Sequence, residues 1–332
     1  MIKSIVLCFT FVISVTAFAE ESNSASLLDE GVKLFINSDY EKAERFFLEK
    51  LKDPSLEQES MIMLSRVYLA SGQYDEAIDF AEKALENNPK GLDELLVMGD
   101  AYCGKAENSS IFKAFSLGRL CIKTYDEAAS SHQDSATALR YASGIYLEAP
   151  SVVGGSKKKG RKFFDLLMKK FPEYAKTYQV SILEEDGKES EALELASELA
   201  SRQFTSAVNQ YDIARFLKKQ ERYEVAKKLF EPLTRMPPGI ENRWEVNDSL
   251  FQLGEILIHE GNEVEAGIEL IERYKQRNSN KDDYHYFWST WSLAKAYRSI
   301  GKMDKYNELV NQIRSEDYEK KEDFAEVFDE SI

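Results

Sequence analysis

Between Met61 and Pro89 the chain reads MIMLSRVYLASGQYDEAIDFAEKALENNP, and its small and aromatic residues return elsewhere at a fixed interval. Tyr68, Gly72, Tyr74, Ala77, Ala81, Ala84 and Pro89 mark the pattern; Ala43 lies 34 residues before Ala77, and Ala226 lies 34 after Ala192. A period in this range belongs to stacked helix–turn–helix units, none of which can bury its apolar face alone. Each unit follows the same local logic. The first helix offers a small residue so that the second can approach closely. The second carries a small residue near its start and a large apolar one a turn later. Glycine supplies the positive φ of the turn between them, and proline stops the second helix.

The pattern recurs about eight times. Small residues of the second helices fall at Ala43, Ala77, Cys121, Gly160, Ala192, Ala226 and Ala266, in steps of 34, 44, 39, 32, 34 and 40. Steps longer than 34 are read as insertions, which solenoids place on one face. These units resemble the tetratricopeptide repeat (TPR), most closely over 58–89. The resemblance implies an all-α fold, an α–α superhelical solenoid of about eight TPR-like helix pairs over residues 20–315. It also implies a protein that binds rather than transforms. Length alone would suggest two globular domains, but a solenoid grows by repeats and needs no such split. The tail 316–332, charged with a weak apolar stripe at Phe324, Val327 and Phe328, is either a cap or a frayed end. The break Ala149-Pro150-Ser151-Val152-Val153-Gly154-Gly155-Ser156-Lys157-Lys158-Lys159 is similar to an APxxxGGxxxK loop in a group of exported bacterial TPR proteins.

Residues 1–19 read as a secretory signal: Lys3, an apolar stretch from Ile5 to Val15, then Ala17-Phe18-Ala19. The expected location is therefore the bacterial periplasm. Cys8 would leave with that segment, and no later stretch is long and apolar enough to span a bilayer. The net charge of −15 becomes −16 without Lys3 and argues against nucleic acid, which needs a basic footprint. Cys103 and Cys121 fall on the two helices of one unit, either joined as a staple or simply small and buried.

Catalytic constellations are sparse. His132, His259 and His285 show no metal-ligand spacing, and no nucleophile elbow is present. No cofactor or metal is expected. His132 and His285 are expected in loops, and His259 at a helix end before Gly261. Gly154, Gly155, Ser156 and Lys157 could cradle an anion on free N–H groups, with Ser156 capping the next helix; equally, the loop needs Gly to turn and Lys to stay wet. The inserted stretch 106–120, with Ile111, Phe112, Phe115 and Leu117, is expected to pack on its own repeat, the other reading being contact with a partner. In TPR proteins the first helices of each pair line a concave groove. Here Tyr211, Arg215 and Lys218 share one face, and Trp291, Lys295 and Arg298 repeat the spacing. Phe251, with Glu255, lies between them, and Arg66 holds the corresponding place in the second unit of the pattern. Cations and aromatics in a groove would suit an acidic peptide or chain terminus. The leading expectation is a non-enzymatic exported adaptor. The alternatives are an assembly factor for envelope or surface-polysaccharide machinery acting through its insertions, and a binder of a small anion at the Gly-Gly-Ser-Lys loop.

Overall fold

A computed structural model describes residues 27–278, 285–318 and 322–331. The expected signal segment lies outside these. The described residues are helical throughout, with no strand among them, and their helices fall into two compact units. No change of composition marks the division, which is threaded: 149–155 belongs with the first unit, although 133–148 belongs with the second.

The first unit holds three antiparallel pairs: α1 (27–36) with α2 (Tyr40–Lys50), α3 (Glu57–Ala70) with α4 (Tyr74–Asn87), and α5 (Leu92–Glu107) with α6 (Ile111–Ser131). Ala43, Ala77 and Cys121 are fully buried, as the small-residue positions require. Gly99 packs under Tyr125: a Cβ there would sit 2.6 Å from the ring, so only glycine allows α6 this close. Cys103 and Cys121 are joined as a disulfide, their Cα atoms 5.3 Å apart. A 3-10 turn, Ser151–Val153, packs on α6, where Arg119 donates to the Val152 carbonyl at 3.0 Å.

The second unit holds five pairs and a closing helix. They are α7 (Ala136–Glu148) with α8 (Lys157–Lys170), α9 (Pro172–Glu185) with α10 (Glu189–Ala200), and α11 (Ala207–Lys219) with α12 (Tyr223–Arg235). Then come α13 (Arg243–Glu260) with α14 (Val264–Arg277), α15 (His285–Ser299) with α16 (Met303–Arg314), and α17 (Glu322–Ser331). The α13–α14 crossing is close, with a Cβ on Gly254 only 2.9 Å from the Gly267 carbonyl oxygen. The closing helix α17 packs on α15. Phe324 and Phe328 are buried against Phe287, Trp288 and Trp291 of α15, with ring centroids 5.2–5.4 Å apart, and cover apolar surface that an eighth pair would leave exposed.

Candidate protein-binding face

In the second unit, α11, α13 and α15 carry an aromatic–charged pattern at a 40-residue period: Tyr211, Phe251, Trp291 and Arg215, Glu255, Lys295, with the acid on the middle helix. Contacts between these helices step by 37 instead, nearly one turn short of the equivalent position. Two polar rows result. In the first, the Tyr211 hydroxyl donates to Asp248 Oδ2, Gln252 Nε2 donates to the same oxygen at 2.9 Å, and His285 Nδ1 lies 2.7 Å from Asp248 Oδ1. In the second, Lys218 Nζ donates to Gln252 Oε1 at 2.6 Å and to Glu255 Oε2 at 2.7 Å, while Ser292 Oγ donates to Glu255 Oε1 at 2.9 Å. Gln252 joins the rows.

Burial alone would raise the Asp248 carboxyl, but the hydrogen bond and charge of His285, with Tyr211 and Gln252, hold it below the usual range. The same burial, with Asp248's charge beside it, pushes the Tyr211 phenol strongly up, so it remains a donor. Phe251 lies against the His285 ring, centroids 4.7 Å apart. This fixes the imidazole as part of the floor.

A second cluster lies towards α7. Arg140 Nη2 is 2.6 Å from Asp212 Oδ2, and its guanidinium lies 5.7 and 5.4 Å from the Tyr174 and Tyr178 ring centres. Burial raises the Glu148 carboxyl, and the charge of Glu185 adds to it. Glu245 is pushed up to about 7, first by burial and then by Asp212 against the opposing pull of Arg140. Beside it Trp244 is half exposed, edge-on to Tyr211 at 5.2 Å.

The structure therefore sorts the expected groove residues. Tyr211, Phe251 and Trp291 are buried, so their area packs within the chain and is not surface for a partner. Lys218 is neutralised by Glu255. Arg215, Lys295 and Arg298 are exposed, and none has an ion pair among the described residues. Lys295 lies 5.8 Å from the Trp291 ring centre, and Arg298 5.5 Å from that of Tyr306. Arg66 belongs to the first unit, half buried and 3.7 Å from Asp93.

Two expectations are corrected. His285 opens α15 and is not in a loop. The Gly-Gly-Ser-Lys loop does not offer free amides along its length. Gly154 N–H bonds Ser151 O at 3.1 Å, Gly155 N–H bonds Pro150 O at 3.1 Å, and Ser156 N–H bonds Tyr146 O at 2.8 Å. Ser156 does cap α8, accepting from Lys159 N–H, whereas Lys157 simply begins that helix. His132 Nε2 lies 2.6 Å from the Lys90 carbonyl oxygen, and His259 packs against Tyr223. Among the described residues no group of three or more His, Cys, Asp or Glu could hold a metal ion. Sequence reasoning missed Asp248, His285, Gln252, Ser292, Arg140 and Asp212. The 37-residue step linking 211, 248 and 285, and again 218, 255 and 292, is the signal that would have found the rows.

Residues 58–90 match the tetratricopeptide repeat family. Solved structures resemble more of the chain. A chain of the APC/C hetero-tetramer Cut9–Hcn1 is 11% identical, covering 91% of this chain and 54% of its own, with a TM-score of 0.50. A tetratricopeptide repeat protein from Parabacteroides merdae is 13% identical over 83% of this chain and 99% of its own, at 0.48. A thermophilic TPR protein of Thermus thermophilus is 16% identical over 58% and 98%, at 0.47. A comparison with curated protein sequences finds no match. At such identities the likeness is one of fold. It fits a chain of TPR-like helix pairs.

Proposed function

We propose that this chain is an exported, non-enzymatic scaffold of the bacterial periplasm that holds an acidic protein segment along α11, α13 and α15. One observation carries the reading. On a face whose other polar groups neutralise one another, Arg215, Lys295 and Arg298 remain exposed and unpaired by acids. The internally satisfied rows make the floor rigid, so little ordering is lost on binding. Neighbouring packed helices lie about 8–10 Å apart. The cations of α11 and α15 are then separated by roughly 20 Å, the reach of about six extended residues. A segment with acidic groups at that interval would engage both ends. Export is supported by the leader-like N-terminus and by the Cys103–Cys121 disulfide, a bond that persists in oxidising compartments.

Arg215→Glu and Lys295→Glu test the face. Each exposed charge is worth little alone, but reversal replaces attraction with repulsion, and roughly a tenfold loss of affinity per site is expected. Capture of a partner from an envelope extract should fall in both variants while thermal melting stays unchanged. Equal capture by wild type and both variants would remove this face from the binding surface.

A further inference from the structure

The insertion does not pack away as expected. Phe115 and Leu117 are partly buried, but Ile111 and Phe112 are 64% and 84% exposed. They are the first two residues of α6. Cys121 holds the place in α6 that Ala77 holds in α4; ten residues of α6 precede it, against three of α4. The extra seven residues add two turns, about 10 Å of helix. On this extension Phe112, Ser116, Arg119, Leu120 and Lys123 fall at i, i+4, i+7, i+8 and i+11, on one stripe, with Lys113 at its border. Phe112, Lys113, Arg119, Leu120 and Lys123 are all exposed. The opposite side, with Cys121, Ile122 and Tyr125, is buried.

Charge decides between occupants. With 58 acidic residues in 332, a stretch of 18 should hold about three, yet 108–125 holds none and carries Lys113, Lys123 and Arg119, the last already donating to the Val152 carbonyl. A protein groove would need more apolar positions than Phe112 and Leu120 supply on the stripe. A membrane interface needs the opposite balance. A few large apolar side chains dip below the headgroups, cations reach the phosphates, and acids are kept away. We infer that the tip of α6, Ile111 to Lys123, docks the protein peripherally on an anionic lipid surface. Two apolar residues make a weak anchor by themselves, so the cations must supply much of the affinity, about fivefold each near an anionic leaflet.

Flotation of the full chain with phosphatidylglycerol-containing vesicles, and with pure phosphatidylcholine vesicles, tests this. Wild type should bind the anionic vesicles at least about tenfold more tightly. Ile111→Ser/Phe112→Ser should abolish the difference, and Lys113→Glu/Lys123→Glu should remove it while leaving circular dichroism and melting unchanged. Arg215→Glu should float as wild type does, which separates this surface from the proposed peptide face. All variants keep the same N-terminus, so any partition of that segment cancels. Equal flotation of wild type and both α6 variants would overturn the inference. So would loss of a cross-linked protein partner in the α6 variants with vesicle binding intact.

Discussion

Among the described residues, six short turns between paired helices place one residue at positive φ, Ser38, Gly72, Gly187, Glu221, Gly261 and Gly301, and the longer α7–α8 connection does so at Gly154. At the four glycines of the short turns a Cβ would meet nothing within 4 Å, so only the backbone conformation demands glycine there. A non-glycine residue in that region costs about 1–2 kcal/mol. Glu221→Gly should therefore raise stability, by about 0.5–1 kcal/mol after the greater freedom of the unfolded glycine is offset. Gly72→Ala should lower it by about 1 kcal/mol. Urea midpoints with unchanged slopes would check both. Glu245 makes a second prediction at this scale. Its folded pKa of about 7 lies above the ordinary 4.5, so between these values the folded chain binds the extra proton. Stability from this group is present below about pH 4.5 and is lost as pH rises through about 7. The side chain is only partly covered, so the loss is about 1–3 kcal/mol. Glu245→Gln should be more stable than wild type at pH 8, with the gap closing by pH 5. A constant gap would show that Glu245 does not titrate in this range.

At the scale of the element, Asp248 ties α11, α13 and α15 through one carboxylate. Asp248→Ala would leave the Tyr211 hydroxyl, the Gln252 amide and the His285 ring without their acceptor, at a cost of about 3 kcal/mol. Much of Tyr211→Phe should then be free in the Asp248→Ala background, a coupling of about 0.5–3 kcal/mol in a double-mutant cycle. Additive effects would mean that the row is not a unit. The helices themselves were legible, because Ala77, Ala192 and Ala226 must be small for one helix to meet the next, and the sequence repeats them. The rows were not, because equivalence follows the 40-residue period while contact depends on how one helix lies across its neighbour. His285 follows a polar run, Asn278 to Asp283, that reads as loop, although the imidazole ends on Asp248. The α6 extension was legible as an insertion, but an amphipathic stripe does not say whether anything covers it. The amides of Gly154 and Gly155 were invisible to sequence, since their acceptors come from the preceding turn of the same loop.

At the scale of the whole molecule, repeats contact mainly their neighbours, so stability is a sum of local terms and need not be lost all at once. The disulfide belongs wholly to the first unit, and all three tryptophans, Trp244, Trp288 and Trp291, belong to the second. The chain thus carries separate reporters. Tryptophan fluorescence follows the second unit, while far-ultraviolet circular dichroism follows the helices of both. The bond between residues 18 apart constrains the unfolded chain by about 3 kcal/mol. Cys103→Ser/Cys121→Ser should therefore lower the unfolding midpoint of the first unit and leave that of the second in place. The dichroism curve should broaden or divide, with its early part moved to lower urea, while the fluorescence curve should superpose on that of the wild type. Dithiothreitol should move the wild-type dichroism curve in the same way and leave the double variant unaffected. If fluorescence shifts as far as dichroism, the two units unfold as one cooperative body. Coupling between neighbouring repeats would then outweigh the division seen in the packing.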